Sequence, residues 1–143
     1  MSTDRWQTAR IEEIQAAAPA NEPSYWKEWT EDEGYAARWH SIREHFGIEA
    51  FGVNACDGAA GEELIVPHEE VSFGGQEELY AVVQGRARFT LDGEEVELGP
   101  GGLLYVPPHV RRAGTALETP TTLLMVGGVA GKPFEPDWEP LET

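Results

Sequence analysis

The sequence predicts an all-β domain, a sandwich, jelly roll or barrel of short strands, preceded by a short helical segment. Three observations predict it. Beyond residue 47 the apolar residues fall in strand-length runs with no helical spacing. The runs are broken by Asp57-Gly58, Gly74-Gly75, Asp92-Gly93, Gly99-Pro100-Gly101-Gly102, Pro107-Pro108 and Gly127-Gly128, the residues that turns require. Finally, 143 residues of which 41% are hydrophobic are enough for one core without disulfide or metal staples.

Residues 1–46 lean helical. Ile11, Ile14 and Ala18 mark a short helix that Pro19 closes. The stretch after it carries Tyr25, Trp26 and Trp29, too aromatic for a free linker. Thr30-Glu31-Asp32-Glu33 has capping-box spacing, in which hydroxyl and carboxylate satisfy free amide donors. Behind it Tyr35, Trp39, Ile42 and Phe46 share one helical face, and Gly47 supplies a stop. Strands are then expected at 48–55, 63–66, 79–84, 87–91, 94–98, 103–106 and 121–126. Asp92-Gly93 is the strongest hairpin signal, because a type I′ turn needs positive φ at both central residues. The division expected is a Trp-rich segment over 1–46 packing on a barrel over 47–130, then a Pro-rich tail over 131–143, all within one domain. The tail carries Phe134 and Trp138, which give it apolar groups with which to dock.

Charge narrows the partners. Ten Lys and Arg against 26 Asp and Glu leave a net charge of −16, which disfavours nucleic acid and anionic membranes. Five Trp, four Tyr and five Phe are too many aromatics for a disordered acidic chain. The single cysteine, Cys56, excludes an internal disulfide and a cysteine-based zinc site, and reads as a small buried residue. The N-terminal residues carry no signal-peptide pattern and no apolar run is membrane-length, so a reduced cytoplasmic protein is expected.

The stretch from Gly61 to Arg112 resembles the two motifs of the cupin superfamily. The first family motif runs glycine, His-x-His, then a glutamate seven positions before a glycine. This chain has Gly61, then His68-Glu69-Glu70, then Glu78 with Gly85 seven positions on. The second motif is glycine, five residues, Pro-x-Gly, two residues, histidine. Here Gly101 and Pro107 keep the spacing, His109 stands in the glycine slot and Arg112 in the histidine slot. The resemblance implies a double-stranded β-helix, that is, a jelly-roll barrel, with the N-terminal helical segment outside it. It also implies an interior site at His68, Glu70, Glu78 and Arg112, and a homodimer formed through sheet edges.

In metal-binding cupins two histidines, the glutamate and the second-motif histidine hold one divalent ion. Arg112 cannot ligate, since its guanidinium offers only donors. Two readings stay open. In one, Arg112 pairs with Glu70 or Glu78 and the site has no metal and no other cofactor. In the other, Arg112 swings away and His68, Glu70 and Glu78 hold a divalent metal (Mn, Fe, Zn or Ni), with oxygen-rich ligation suiting manganese or iron best. His68 and Glu70 are expected two apart on one strand, facing inward together.

Tyr80 alternates with Glu78 and Val82, so it shares their face as core or as cavity lining. His40 and His45 lie five apart on the expected helix, a spacing that does not stack two ligands, so both read as surface or edge residues. Arg86 and Arg88 are expected to pair across strands with Glu94, Glu95 or Glu97. The acid runs Glu12-Glu13, Glu62-Glu63 and Glu94-Glu95 read as solvated surface. No nucleophile elbow and no Ser/His/Asp arrangement is present.

The function expected is binding of a small organic molecule in the barrel, with Glu70, Tyr80 and Arg112 contacting it. Glu78 and His68 are then the candidates for proton transfer, as in isomerisation or lyase chemistry. The alternatives are a metal-dependent oxygenase, isomerase or lyase using His68, Glu70 and Glu78, and a non-catalytic binding module.

Overall fold

The computed structural model describes residues 5–14 and 37–134. Nine strands run in chain order: β1 (Arg38–His40), β2 (Gly52–Gly58), β3 (Glu63–His68), β4 (Glu77–Gln84), β5 (Ala87–Leu91), β6 (Glu94–Leu98), β7 (Leu103–Val106), β8 (Arg112–Ala116) and β9 (Thr121–Gly128). They form two antiparallel sheets, one ordered β1-β2-β9-β4-β7 and the other β3-β8-β5-β6. Inward side chains of both sheets make the core: Cys56, Leu64, Ile65, Tyr80, Val82, Ala87, Phe89, Val106, Ala116, Leu123 and Met125. Cys56 is fully buried there with Sγ against the Leu64 carbonyl, which is the structural role the sequence suggested.

The strongest local signals hold. β5, β6 and β7 lie where the apolar runs placed them. Asp92 and Gly93 both have positive φ, 49° and 87°, and Leu91 pairs with Glu94 across the turn they make. Gly85, the glycine that follows β4, has φ 78°. A β-carbon there would fall on Thr121 Oγ1 and 2.5 Å from the Pro120 carbonyl oxygen, so only glycine fits.

Among the described residues, the N-terminal segment is less helical than expected. Ile11–Glu13 is a single 3₁₀ turn, and the only α-helix among the described residues is α1 (Ile42–Phe46), ended by Gly47 at φ 71°. Trp39 lies on β1, where it pairs with Cys56 of β2. The helical spacing of Trp39, Ile42 and Phe46 was real in the sequence, but strand pairing with β2 outweighed it. Ala18, Pro19, Tyr25, Trp26, Trp29, Tyr35, the capping box at 30–33 and Trp138 lie outside the described residues. Ile14 and Ile42 pack over Val53 and Ala55, so part of this segment does cover the outer face of β2. Phe134 closes against Gly52, with Arg43 over its ring.

Two further differences bear on the site. Residues 112–116 form a strand that was not expected, because Ala, Gly and Thr carry little apolar pattern. Their strand is fixed by neighbours on both sides, β3 and β5. β3 also ends at His68, so Glu70 sits just beyond the strand with φ −101° and ψ −9°. His68 and Glu70 therefore do not share one strand, contrary to expectation, and a turn brings the two together instead.

The sheet edges differ. β6 carries Glu94, Glu95 and Glu97, charges that discourage a further strand. β7 exposes Leu103 and Tyr105, at 64% and 58%.

Candidate functional site

The candidate residues meet at one end of the two sheets. His68 ends β3 and lies directly opposite Arg112, the first residue of β8. Glu78 comes from the other sheet, on β4, opposite Val106 on one side and Gly127 on the other. The loop from Pro107 to Val110 wraps the guanidinium, and its Pro108 carbonyl also accepts from the Glu70 backbone N–H at 2.9 Å.

Arg112 heads the large, fully buried side chains among the described residues, at 1% exposed. Its Nη1 donates to Glu78 Oε1 at 2.7 Å, an ion pair that ties the two sheets. Its Nη2 donates to the carbonyls of Pro107 and Val110, both at 2.9 Å, and Nε donates to Val110 at 3.2 Å. The side chain is thus held at all three of its nitrogens, a charge-assisted geometry that suits arginine alone.

Glu78 Oε1 accepts a second hydrogen bond, from the Tyr80 hydroxyl at 2.7 Å. His68 Nε2 lies 2.8 Å from Glu70 Oε2 and 4.0 Å from Glu78 Oε1, while Nδ1 lies 2.7 Å from the Val66 carbonyl. Both ring nitrogens face oxygens that can only accept, which is the environment of an imidazolium. Burial works against that charge, but the hydrogen bond and charge of Glu70, with the Val66 carbonyl and Glu78 behind them, hold His68 above its ordinary pKa. Burial and then the Glu70 carboxylate push Glu78 up, against the pull of His68, the Tyr80 hydroxyl and Arg112. Burial and the Glu78 charge push Tyr80 far above the usual phenol value.

Exposure sorts the group in two. Arg112 and Tyr80 sit behind Glu78, whereas the side chains of His68, Glu70 and Glu78 keep 15%, 11% and 18% of their surface. A molecule arriving from solvent meets those three. His109 is exposed in the turn and does not join them.

His68, Glu70 and Glu78 each offer one ligand atom, and these lie within 4.8 Å of one another. The family pattern asks for a fourth donor at the slot of Arg112, which cannot ligate and already occupies Glu78 Oε1. The chain therefore does not fit the four-donor centre. It retains one imidazole and two carboxylates that could hold a hard divalent ion.

A second polar cluster escaped the sequence reading. His40, expected on a helix surface, is buried on β1 with Nε2 2.8 Å from Asp57 Oδ2 and Nδ1 2.8 Å from the Ile14 carbonyl. Arg38 donates to both Asp57 oxygens, at 2.9 and 3.2 Å. Burial of Asp57 opposes its charge, yet these bonds hold its pKa below the ordinary value. No helical spacing could signal this, since it arises from β1 pairing with β2. His45 is exposed on α1, edge-on to Phe46. Arg86 lies 3.3 Å from Glu97, and Arg88 lies 3.9 and 3.8 Å from Glu95 and Glu97, the cross-strand pairs expected.

Two antiparallel sheets facing one another across an apolar core, with a polar cluster at one end, define a jelly-roll barrel. Residues 64–127 match the cupin domain model, and the chain carries a domain of the cupin superfamily. Among solved structures it is similar to a sugar phosphate isomerase of a cupin superfamily from Silicibacter pomeroyi, with TM-score 0.63, 18% identity, and coverage of 85% of this chain and 74% of that one. It is also similar to a cupin protein from Bacteroides fragilis, with TM-score 0.56, 22% identity, and coverage of 76% and 90%. A chain from the crystal structures of DMSP lyases is 29% identical at TM-score 0.56, over 66% of this chain and 48% of that one. No curated protein matches the sequence.

Proposed function

We propose that the protein binds a small organic molecule at the His68, Glu70 and Glu78 end of the barrel, and that Arg112 supplies the positive charge a metal would bring elsewhere. The observation that carries this reading is the burial of Arg112 in the slot of the missing donor, with Glu78 and two backbone carbonyls holding its fork. Arg112 and the His68 ring, whose nitrogens both face acceptors, stand against Glu78 and Glu70, so the chain itself brings cationic partners to the carboxylates. Tyr80 and Arg112 act through Glu78 and do not touch the ligand in this arrangement. The chemistry such a set supports is proton transfer, with Glu78 and His68 as the exchanging groups, as in isomerisation or lyase reactions. Both reaction types occur among the similar structures, a sugar phosphate isomerase and DMSP lyases. A cytoplasmic setting belongs to the same reading.

Elemental analysis of protein purified without chelators tests the metal-free part, with substoichiometric metal expected. Turnover of an identified substrate should vanish in Glu78→Gln, and unchanged turnover there would sink the proton-transfer role. The convergence of three donors within 4.8 Å favours a second reading, a metal-dependent cupin enzyme. Near-stoichiometric manganese, iron, zinc or nickel, lost in His68→Ala, would establish that one in place of the first.

A further inference from the structure

The geometry points to a ligand whose bound end donates hydrogen bonds and is neutral or positively charged, a polyol or an amine, with phosphate esters and carboxylates rejected. This rests on the small-molecule reading of the site and adds the ligand's chemical class to it.

The side chains of the cluster have acceptors, more than donors, left to offer. Its donors point inward. Arg112 gives Nε, Nη1 and Nη2 to Val110, Glu78 and Pro107, and it is buried behind them. The Tyr80 hydroxyl gives its proton to Glu78. His68 faces Val66 with one nitrogen and Glu70 with the other.

The acceptors are a different case. Glu78 Oε1 takes two hydrogen bonds, but Glu78 Oε2 takes none from a described residue. Glu70 Oε2 faces His68, while Glu70 Oε1 likewise takes none. Neither free oxygen is among the fully buried unpaired atoms, so both open to solvent. A carboxylate oxygen accepts and cannot donate, hence the ligand must bring the protons.

Among the described residues, the arginines nearest in the sheet lie elsewhere. Arg86 and Arg88 are engaged with Glu97 and Glu95, and Arg88 sits opposite Thr115 whereas Arg112 sits opposite Leu91, at the other end of β5. Arg111 is exposed in the loop before β8. The net charge of −16 adds a long-range field that repels anions and draws cations. Placing a phosphate or carboxylate against two free carboxylate oxygens sets like charges together, which the neutral amide of the neighbouring Gln76 does not offset.

The test uses matched probes: inositol and ethanolamine against inositol monophosphate and phosphoethanolamine, titrated into the full chain at millimolar concentration. Side-chain NMR signals of His68 and Tyr80 report whether each probe reaches the cluster. Inositol or ethanolamine should bind at least about tenfold tighter than its phosphate ester. Ethanolamine affinity should fall by about the same factor in Glu70→Gln, and in Glu78→Gln should the first variant not fold. Phosphate esters binding as tightly as their parents at the cluster would overturn the ligand class and leave small-molecule binding standing. No perturbation of the cluster by any of the four probes would overturn both.

Discussion

Replacing Arg112 with methionine, a side chain of similar length without charge, tests whether the guanidinium holds the site together. The substitution removes the 2.7 Å bond to Glu78 and the bonds to the Pro107 and Val110 carbonyls. Breaking a buried pair by removing one partner costs about 3–5 kcal/mol, most of it the uncompensated charge left behind. Glu78 keeps 18% of its side-chain surface, which places the expected loss toward the lower end of that range. For a domain of this size each kcal/mol is about 3–4 °C in Tm, so a fall of about 10–15 °C is expected. Thermal and urea unfolding of Arg112→Met, Glu78→Gln and the double variant form a cycle. The double variant should lose less than the two singles combined, with a coupling of about 1–3 kcal/mol. A loss below about 1 kcal/mol in Arg112→Met, or strict additivity, would refute the claim that the pair ties the sheets.

Three further outcomes follow from other residues. Asp57 has a depressed pKa in the folded state, so its contribution is present above the unfolded value near 3.8 and is lost as pH falls through the lower folded value. Acid unfolding of Asp57→Asn should therefore be flatter below about pH 4 than that of the wild type, and identical acid limbs would contradict the ion pairing with Arg38 and His40. Gly85→Ala should cost about 2 kcal/mol or more in urea unfolding, because the left-handed backbone and the Pro120 carbonyl both exclude a β-carbon. We propose a homodimer through the open β7 edge, where Leu103 and Tyr105 are exposed; gel filtration at moderate salt should show a dimer that Leu103→Glu converts to monomer, and an unchanged profile would place any association elsewhere.

How much of this was legible depends on whether a signal was local. The Asp92-Gly93 turn and strands β5 to β7 were readable because turn chemistry and apolar alternation act over a few residues. Motif spacing brought His68, Glu70, Glu78 and Arg112 to one place, although the route for Glu70 was a turn and not a continuing strand. What stayed hidden was decided by distant partners. β8 has almost no apolar side chains of its own; Gly114 lies so close to Ile65 and Phe89 that a β-carbon would meet them at 3.2 and 3.4 Å. β1 exists because β2 lies beside it, and it carries Trp39 and His40 out of the helix their spacing suggested. Tertiary pairing of this kind overrides local propensity in short segments.

The exchange of histidine for arginine in the second motif changes more than a ligand count. A histidine at position 112 would stand directly opposite His68, on neighbouring strands of one sheet. The longer arginine instead crosses to Glu78 on the other sheet and is clamped by the loop carbonyls. Its charge is permanent, whereas a bound metal can exchange, and it takes Glu78 Oε1, the oxygen that also accepts from Tyr80. The free oxygens left by that arrangement, Glu78 Oε2 and Glu70 Oε1, belong to side chains that, like His68, keep part of their surface exposed. A fixed cation behind and acceptors in front thus follow from one residue, and on the reading proposed above that residue both stands in for a metal and limits what the site can hold.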